Sequence, residues 1–176
     1  MQDTLPIHFA PLQGYTEAIY RNAHDAFFGG VDTYYTPFVR LEKGNFRRRD
    51  VRGIEPENNG VPHLIPQLIA SSAEKAEVIL SLFIEKGYQE VDINLGCPFP
   101  LLAKRHNGSG ILPYFEEVKA LLSIVTRYPQ ISFSVKMRLG WEQPDECLAL
   151  APILNDLPLR QITMPPSGQT RLQRRS

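Results

Sequence analysis

Short apolar runs alternate with stretches of helical periodicity along nearly the whole chain, and that alternation leaves few folds open. Runs at 7–12, 33–39, 63–70, 90–95, 131–139 and 160–164 read as strands, rich in Ile, Val, Tyr, Phe and Thr. Helices are expected at 17–28, from about 72 to 86, from about 113 to 126, and at about 145–154. Thr16 stands where an N-cap belongs before the first, and Gly29-Gly30 where it should end. Ser71 or Ser72 caps the second; its apolar residues Ala76, Ile79, Leu80, Phe83 and Ile84 recur on one helical face, and Gly87 stops it. Segment 40–61 is charged and polar and reads as a long loop with one helical turn. Strand and helix in turn specify an α/β protein with parallel strands. Six strands are most of a β/α (TIM-type) barrel, which ordinarily needs eight. The expectation is an incomplete parallel β/α barrel over 1–164 and a basic, proline-led, disordered tail over 165–176.

Composition narrows the function. Lys plus Arg balance Asp plus Glu at 19 each, so the chain lacks the basic excess common among nucleic-acid binders. Any affinity for RNA must come from local patches. Two cysteines, Cys97 and Cys147, give no disulfide framework and no metal-like spacing, and suit a reducing compartment. No secretory signal and no run of about 20 apolar residues occurs. A cytoplasmic protein with no membrane partner is expected.

In a β/α barrel the reactive groups stand at the C-terminal ends of the strands. Those ends carry Pro11 and Leu12, then Gln67, then Asn94 with Cys97, then Lys136 with Arg138. Carboxamides, two cations and one thiol suit a pocket for a flat heterocycle. Each residue also has a plainer reading. Cys97 also reads as a small buried hydrophobe, and Gln67 and Asn94 as polar groups that finish a strand. Lys104 and Arg105 read either as an RNA contact or as a solvated loop. Arg47, Arg48, Arg49 and Arg52 read either as a phosphate grip or as a solvated face.

The segments FAPLQGYT, PQLIA, DINLGCPFPLLAKRHNGSGIL and SVKMRLGW, in this order and spacing, resemble the tRNA-dihydrouridine synthases over roughly residues 7 to 164. The resemblance implies an FMN-dependent enzyme that uses NADPH to reduce uridine in tRNA. It makes Cys97 the general acid at C5 of uracil, while reduced FMN delivers hydride to C6. A thiol with an ordinary pKa of about 8.5 is protonated at neutral pH, as that role needs. Pro11, Leu12, Gln67 and Lys136 match flavin-contacting positions; Asn94, Lys104 and Arg138 match positions near the substrate. The chain departs from the family after the sixth strand, where Pro165-Pro166 stand in place of a histidine. The family's last two strands and its helical tRNA-binding domain have no counterpart. The expectation is therefore a truncated barrel, weak in FMN binding and prone to self-association through unpaired strand edges. Two alternatives remain: an FMN barrel acting on a free pyrimidine, similar to a dihydroorotate dehydrogenase, and a non-catalytic fragment that binds RNA or a partner.

Overall fold

The computed structural model describes residues 5–141 and 143–165; residues 166–176 of the expected tail lie outside them. Strand β1 (His8–Phe9) leads to α1 (Ala18–Phe28) and β2 (Thr33–Tyr35). A hairpin of β3 (Leu41–Glu42) and β4 (Asn45–Phe46) and helix α2 (Arg48–Ile54) follow, then β5 (Leu64–Ile65), β6 (Gln67–Leu68) and α3 (Ala73–Glu85). Next come β7 (Glu90–Leu95), α4 (Pro100–Ala103), α5 (Phe115–Leu122), α6 (Ile124–Arg127), β8 (Ser132–Met137), α7 (Glu146–Asp156) and β9 (Leu159–Thr163).

The strands pair in parallel in the orders β1-β2-β5 and β6-β7-β8-β9. The expected strand 63–70 supplies both β5 and β6 and so links the two sheets. Pro66 divides it, because proline has no N–H to donate; its carbonyl instead accepts the Asp92 N–H at 3.0 Å. The result is a parallel arc of a β/α barrel, with strands laid down in chain order and no β9–β1 pairing among the described residues. A register shift between Phe133 and Ser134 carries β9 from one face to the other. Leu159 pairs with Phe133, yet Gln161 pairs with Ser134 and Thr163 with Lys136.

Core packing explains why these segments hold. Val91, Ile93, Leu95, Phe133, Val135 and Met137 alternate onto the outer face of β7 and β8 and are fully buried. Ala76, Ile79, Leu80 and Phe83 of α3 belong to the same cluster. Each large side chain taken from water there contributes about 1.5–3 kcal/mol. Ser72 caps α3 by accepting the Lys75 N–H at 3.4 Å, and Gly87, at φ +83°, ends it.

Three local expectations are corrected. Thr16 does not cap α1: its hydroxyl accepts the Leu12 N–H at 2.8 Å, and Glu17 takes the cap position. Segment 40–61 is not a loop with one turn, since it contains the hairpin and α2. Its turn is Lys43-Gly44, both at positive φ, the backbone a two-residue hairpin requires. The helix at 113–126 is divided into α5 and α6. Within α1, the wholly buried Arg21 donates to the carbonyls of Thr16 (2.6 Å) and Gly53 (2.8 Å). Burial lowers its pKa to about 10.

Candidate active site

Strands β6, β7 and β8 deliver the expected groups to one place. A cavity of about 230 Å³ is walled by Pro11, Leu12, Gln67, Asn94, Cys97, Lys136 and Arg138, with Pro37 and Phe38 adding apolar surface. A second cavity, about 120 Å³, lies beside it and shares Pro11 and Lys136; His8, Tyr35, Asp92, Gln161 and Thr163 line the remainder. Seven of the eight expected site residues therefore meet at the first cavity. Lys104 does not: it lines a separate hollow with His106, Tyr114 and Trp141.

The backbone around the thiol is fixed from two sides. Asn94 Oδ1 accepts the N–H groups of Gly96 (3.0 Å) and Cys97 (2.9 Å). The Cys97 carbonyl accepts both the N–H and the hydroxyl of Ser109, each at 3.0 Å. Gly108, at φ +62°, lies so close that an added Cβ would stand 2.6 Å from Cys97 O and 3.0 Å from Cys97 N. Arg138 Nε donates to the Gly96 carbonyl at 2.7 Å. The thiol itself rests against the small apolar cluster of Phe38, Ile69 and Leu102. Burial pushes its pKa up, against the opposing pull of the Phe99 N–H and of Arg138, Lys136 and Arg40. It is held as the protonated thiol at neutral pH.

The carboxamides are linked to a group that the strand-end reading omitted. Gln67 Nε2 donates to Asp92 Oδ2 at 2.6 Å, and Asn94 Nδ2 donates to Gln67 Oε1 at 2.7 Å. Ser134 Oγ donates to Asp92 Oδ1 at 2.6 Å. A signal for both existed in the sequence: period two sets Asp92 beside Asn94 and Ser134 beside Lys136.

Basic residues gather elsewhere than the arginine run suggests. Arg47 makes a bidentate pair with Asp50, at 2.9 and 2.6 Å, so part of that run is spent on α2 itself. A groove of about 320 Å³ instead collects Arg40, Lys43, Lys75 and Arg105. Its one carboxylate, Glu42, lies 3.8 Å from Arg40. Lys75 donates to the Ser71 hydroxyl at 2.8 Å, and neither Lys43 nor Arg105 has an acidic partner among the described residues. The groove shares Ile69 and Leu102 with the cluster under Cys97.

Comparison with known proteins gives the family. A family model described as dihydrouridine synthase (Dus) matches residues 8–174. The chain belongs to the dihydrouridine synthase family. It is similar to the probable tRNA-dihydrouridine synthase 1 of Synechocystis sp., 28% identical over 171 residues, covering 93% of this chain and 45% of that one. To the tRNA-dihydrouridine(16) synthase of Haemophilus ducreyi it is 27% identical over 175 residues, covering 90% and 51%. To the tRNA-dihydrouridine synthase B of Klebsiella pneumoniae it is 28% identical over 106 residues, covering 60% and 32%. This dihydrouridine synthase chain thus spans about half the length, or less, of the curated relatives it matches. Among its described residues no helix is long and apolar enough to cross a membrane.

Proposed function

We propose that the chain carries the thiol half of a tRNA uridine reductase, with Cys97 as the proton donor to C5 of uracil. The observation that carries this reading is a thiol fixed at a strand end between Asn94 and Ser109, in a cavity that also holds Lys136 and Arg138. The walls suit FMN: apolar Pro11, Pro37 and Phe38 fit a flat ring, and a cation fits the edge of a flavin that gains negative charge. When bound, FMN reduced by NADPH supplies the hydride for uracil C6. Lys136 and the backbone at Pro11 and Leu12 would hold the ring. Asn94 keeps the cysteine turn in place, and Arg138 braces it through the Gly96 carbonyl. The groove of Arg40, Lys43, Lys75 and Arg105 suits the phosphates on either side of the target nucleotide. That groove favours RNA over a free pyrimidine, which has no backbone to place there. A cytoplasmic site of action follows from a tRNA substrate.

A second reading, a non-catalytic RNA-binding unit, draws on the same groove. Flavin absorbance in the purified protein separates the two. Among the described residues β1 and β9 each pair on one side only, which supports self-association; light scattering that finds only monomer would remove that part.

The test of the chemistry is Cys97→Ala, measured on this chain and on a chimaera in which a relative's C-terminal half follows residue 164. Reduction of flavin by NADPH should be unchanged, because it needs no proton at uracil. Reoxidation by tRNA should slow about 10²–10⁴-fold. Equal loss in both half-reactions, tracking a fall in Tm, would make Cys97 a packing residue instead.

A further inference from the structure

Asp92 is 2% exposed, lies below the thiol cavity on β7, and has no place in the chemistry proposed above. Its connections run in one direction. Gln67 presents its Nε2 to Asp92, which accepts, and its Oε1 to Asn94. Asn94 must then present its Nδ2 to Gln67, which leaves its Oδ1 for the N–H groups of Gly96 and Cys97. The opposite orientation of both amides sets oxygen against carboxylate at one end and NH₂ against two backbone N–H groups at the other. An acceptor-only group at the bottom and donor-only groups at the top thus admit one arrangement of the two amides between them. Gln67 and Ser134 are 1% and 2% exposed, and Asn94 7%, so water offers no substitute.

We propose that Asp92 is a positioning residue for Cys97, acting through Gln67 and Asn94 to fix the turn that carries the thiol. The proposal rests on the reading of Cys97 as the proton donor, and it gives a role to a buried acceptor that the chemistry itself does not use. Burial raises the pKa of Asp92, against the hydrogen bonds from Ser134 and Gln67 and the charges of Lys136 and Arg160. The relay and not the charge is what the turn needs, since any acceptor at position 92 that can take the Gln67 N–H preserves both amide orientations.

The test uses the whole chain with Cys147→Ser, so that Cys97 is the only thiol, and follows its alkylation by iodoacetamide under native conditions. Asp92→Leu removes the acceptor while keeping the branched shape of the side chain and should speed alkylation about fivefold or more, the scale of one lost buried hydrogen bond. Asp92→Asn should stay within about twofold, because its amide oxygen still accepts from Gln67 while the Ser134 hydroxyl rotates. Ser134→Ala, which removes a bond to Asp92 outside the relay, should also stay within about twofold. Gln67→Met breaks the relay in the middle and should match Asp92→Leu, which covers the case in which Asp92→Leu does not fold. Asp92→Leu combined with Asn94→Leu should react no faster than Asn94→Leu alone, because residues in one chain of contacts are not additive. Unchanged alkylation in both Asp92→Leu and Gln67→Met, or multiplying effects in the double variant, would overturn the relay. Failure of Cys97→Ala to slow uridine reduction would overturn the catalytic reading while leaving these alkylation outcomes to stand on their own.

Discussion

In β7 and β8 six consecutive residues pair and nearly all are buried, whereas β1, β2 and β5 pair over only two or three residues each. The helices differ in the same way. Helix α3 buries Ala76, Ile79, Leu80 and Phe83 in the main core, while α1 leaves Ile19 81%, Phe27 85% and Phe28 80% exposed. The first strand is held mainly by an aromatic group in which Phe9 meets Tyr20, His24 and Tyr34. Every polar residue on the wall of the thiol cavity except Gln13 issues from the well-packed half: Gln67, Asn94, Cys97, Lys136 and Arg138. Pro11 and Leu12 come from the other. Reacting groups need placement to fractions of an ångström, which dense packing on regular strands provides. A wall that only covers a ring tolerates looser support.

The sharpest contrast should be in stability. Phe133→Ala, at a fully buried position of β8, should cost about 3–5 kcal/mol in chemical denaturation. Phe27→Ala on α1 should change it by less than about 0.5 kcal/mol. Similar losses at the two sites would erase the distinction between the halves. Next, Gly108→Ala should cost about 1–3 kcal/mol, because it combines an unfavourable φ with contact on the Cys97 backbone. It should also alter Cys97 alkylation. Gly44→Ala has φ +81° but open space around it, so strain alone operates and the Cys97 alkylation rate should not move.

A pH series probes the cost of keeping Asp92 charged. Its folded pKa is raised by burial above the unfolded value, so the penalty is full above the folded pKa and vanishes below the unfolded one, about 3.9. Asp92→Asn should therefore raise Tm at pH 7, with the gap to the parent closing as pH falls toward 4. A gap that widens on acidification would show that the carboxylate is net stabilised in place. The smallest effect is expected at the rim. Arg105→Gln or Lys75→Gln should each reduce the slope of log affinity for tRNA against log salt by about one. Phe27→Ala should leave that slope alone, and an unchanged slope in both groove variants would move the RNA contact elsewhere.

The strands of the well-packed half were legible because 90–95 and 131–139 combine β-branched residues with strict alternation, a local property that burial on one face enforces. The cysteine turn was legible because Gly96-Cys97-Pro98 ends a strand whose C-terminal end must face the site. The hairpin at 41–46 was not, since Lys43 occupies a positive φ more typical of Asn or Gly and its polar flanks read as loop. The family resemblance sets Lys104 near the substrate, but α4 and the turn that follows carry it into a different hollow. Strand order, the common face of Asp92, Asn94, Ser134 and Lys136, and a thiol at a strand end can all be read along the chain, because chain direction and side-chain period are local. That Asp92 stands across from both Gln67 and Ser134, and that Arg40, Lys43, Lys75 and Arg105 share one groove, depends on how the strands meet. Register and curvature bring together residues far apart in the chain, and no local pattern records which will meet.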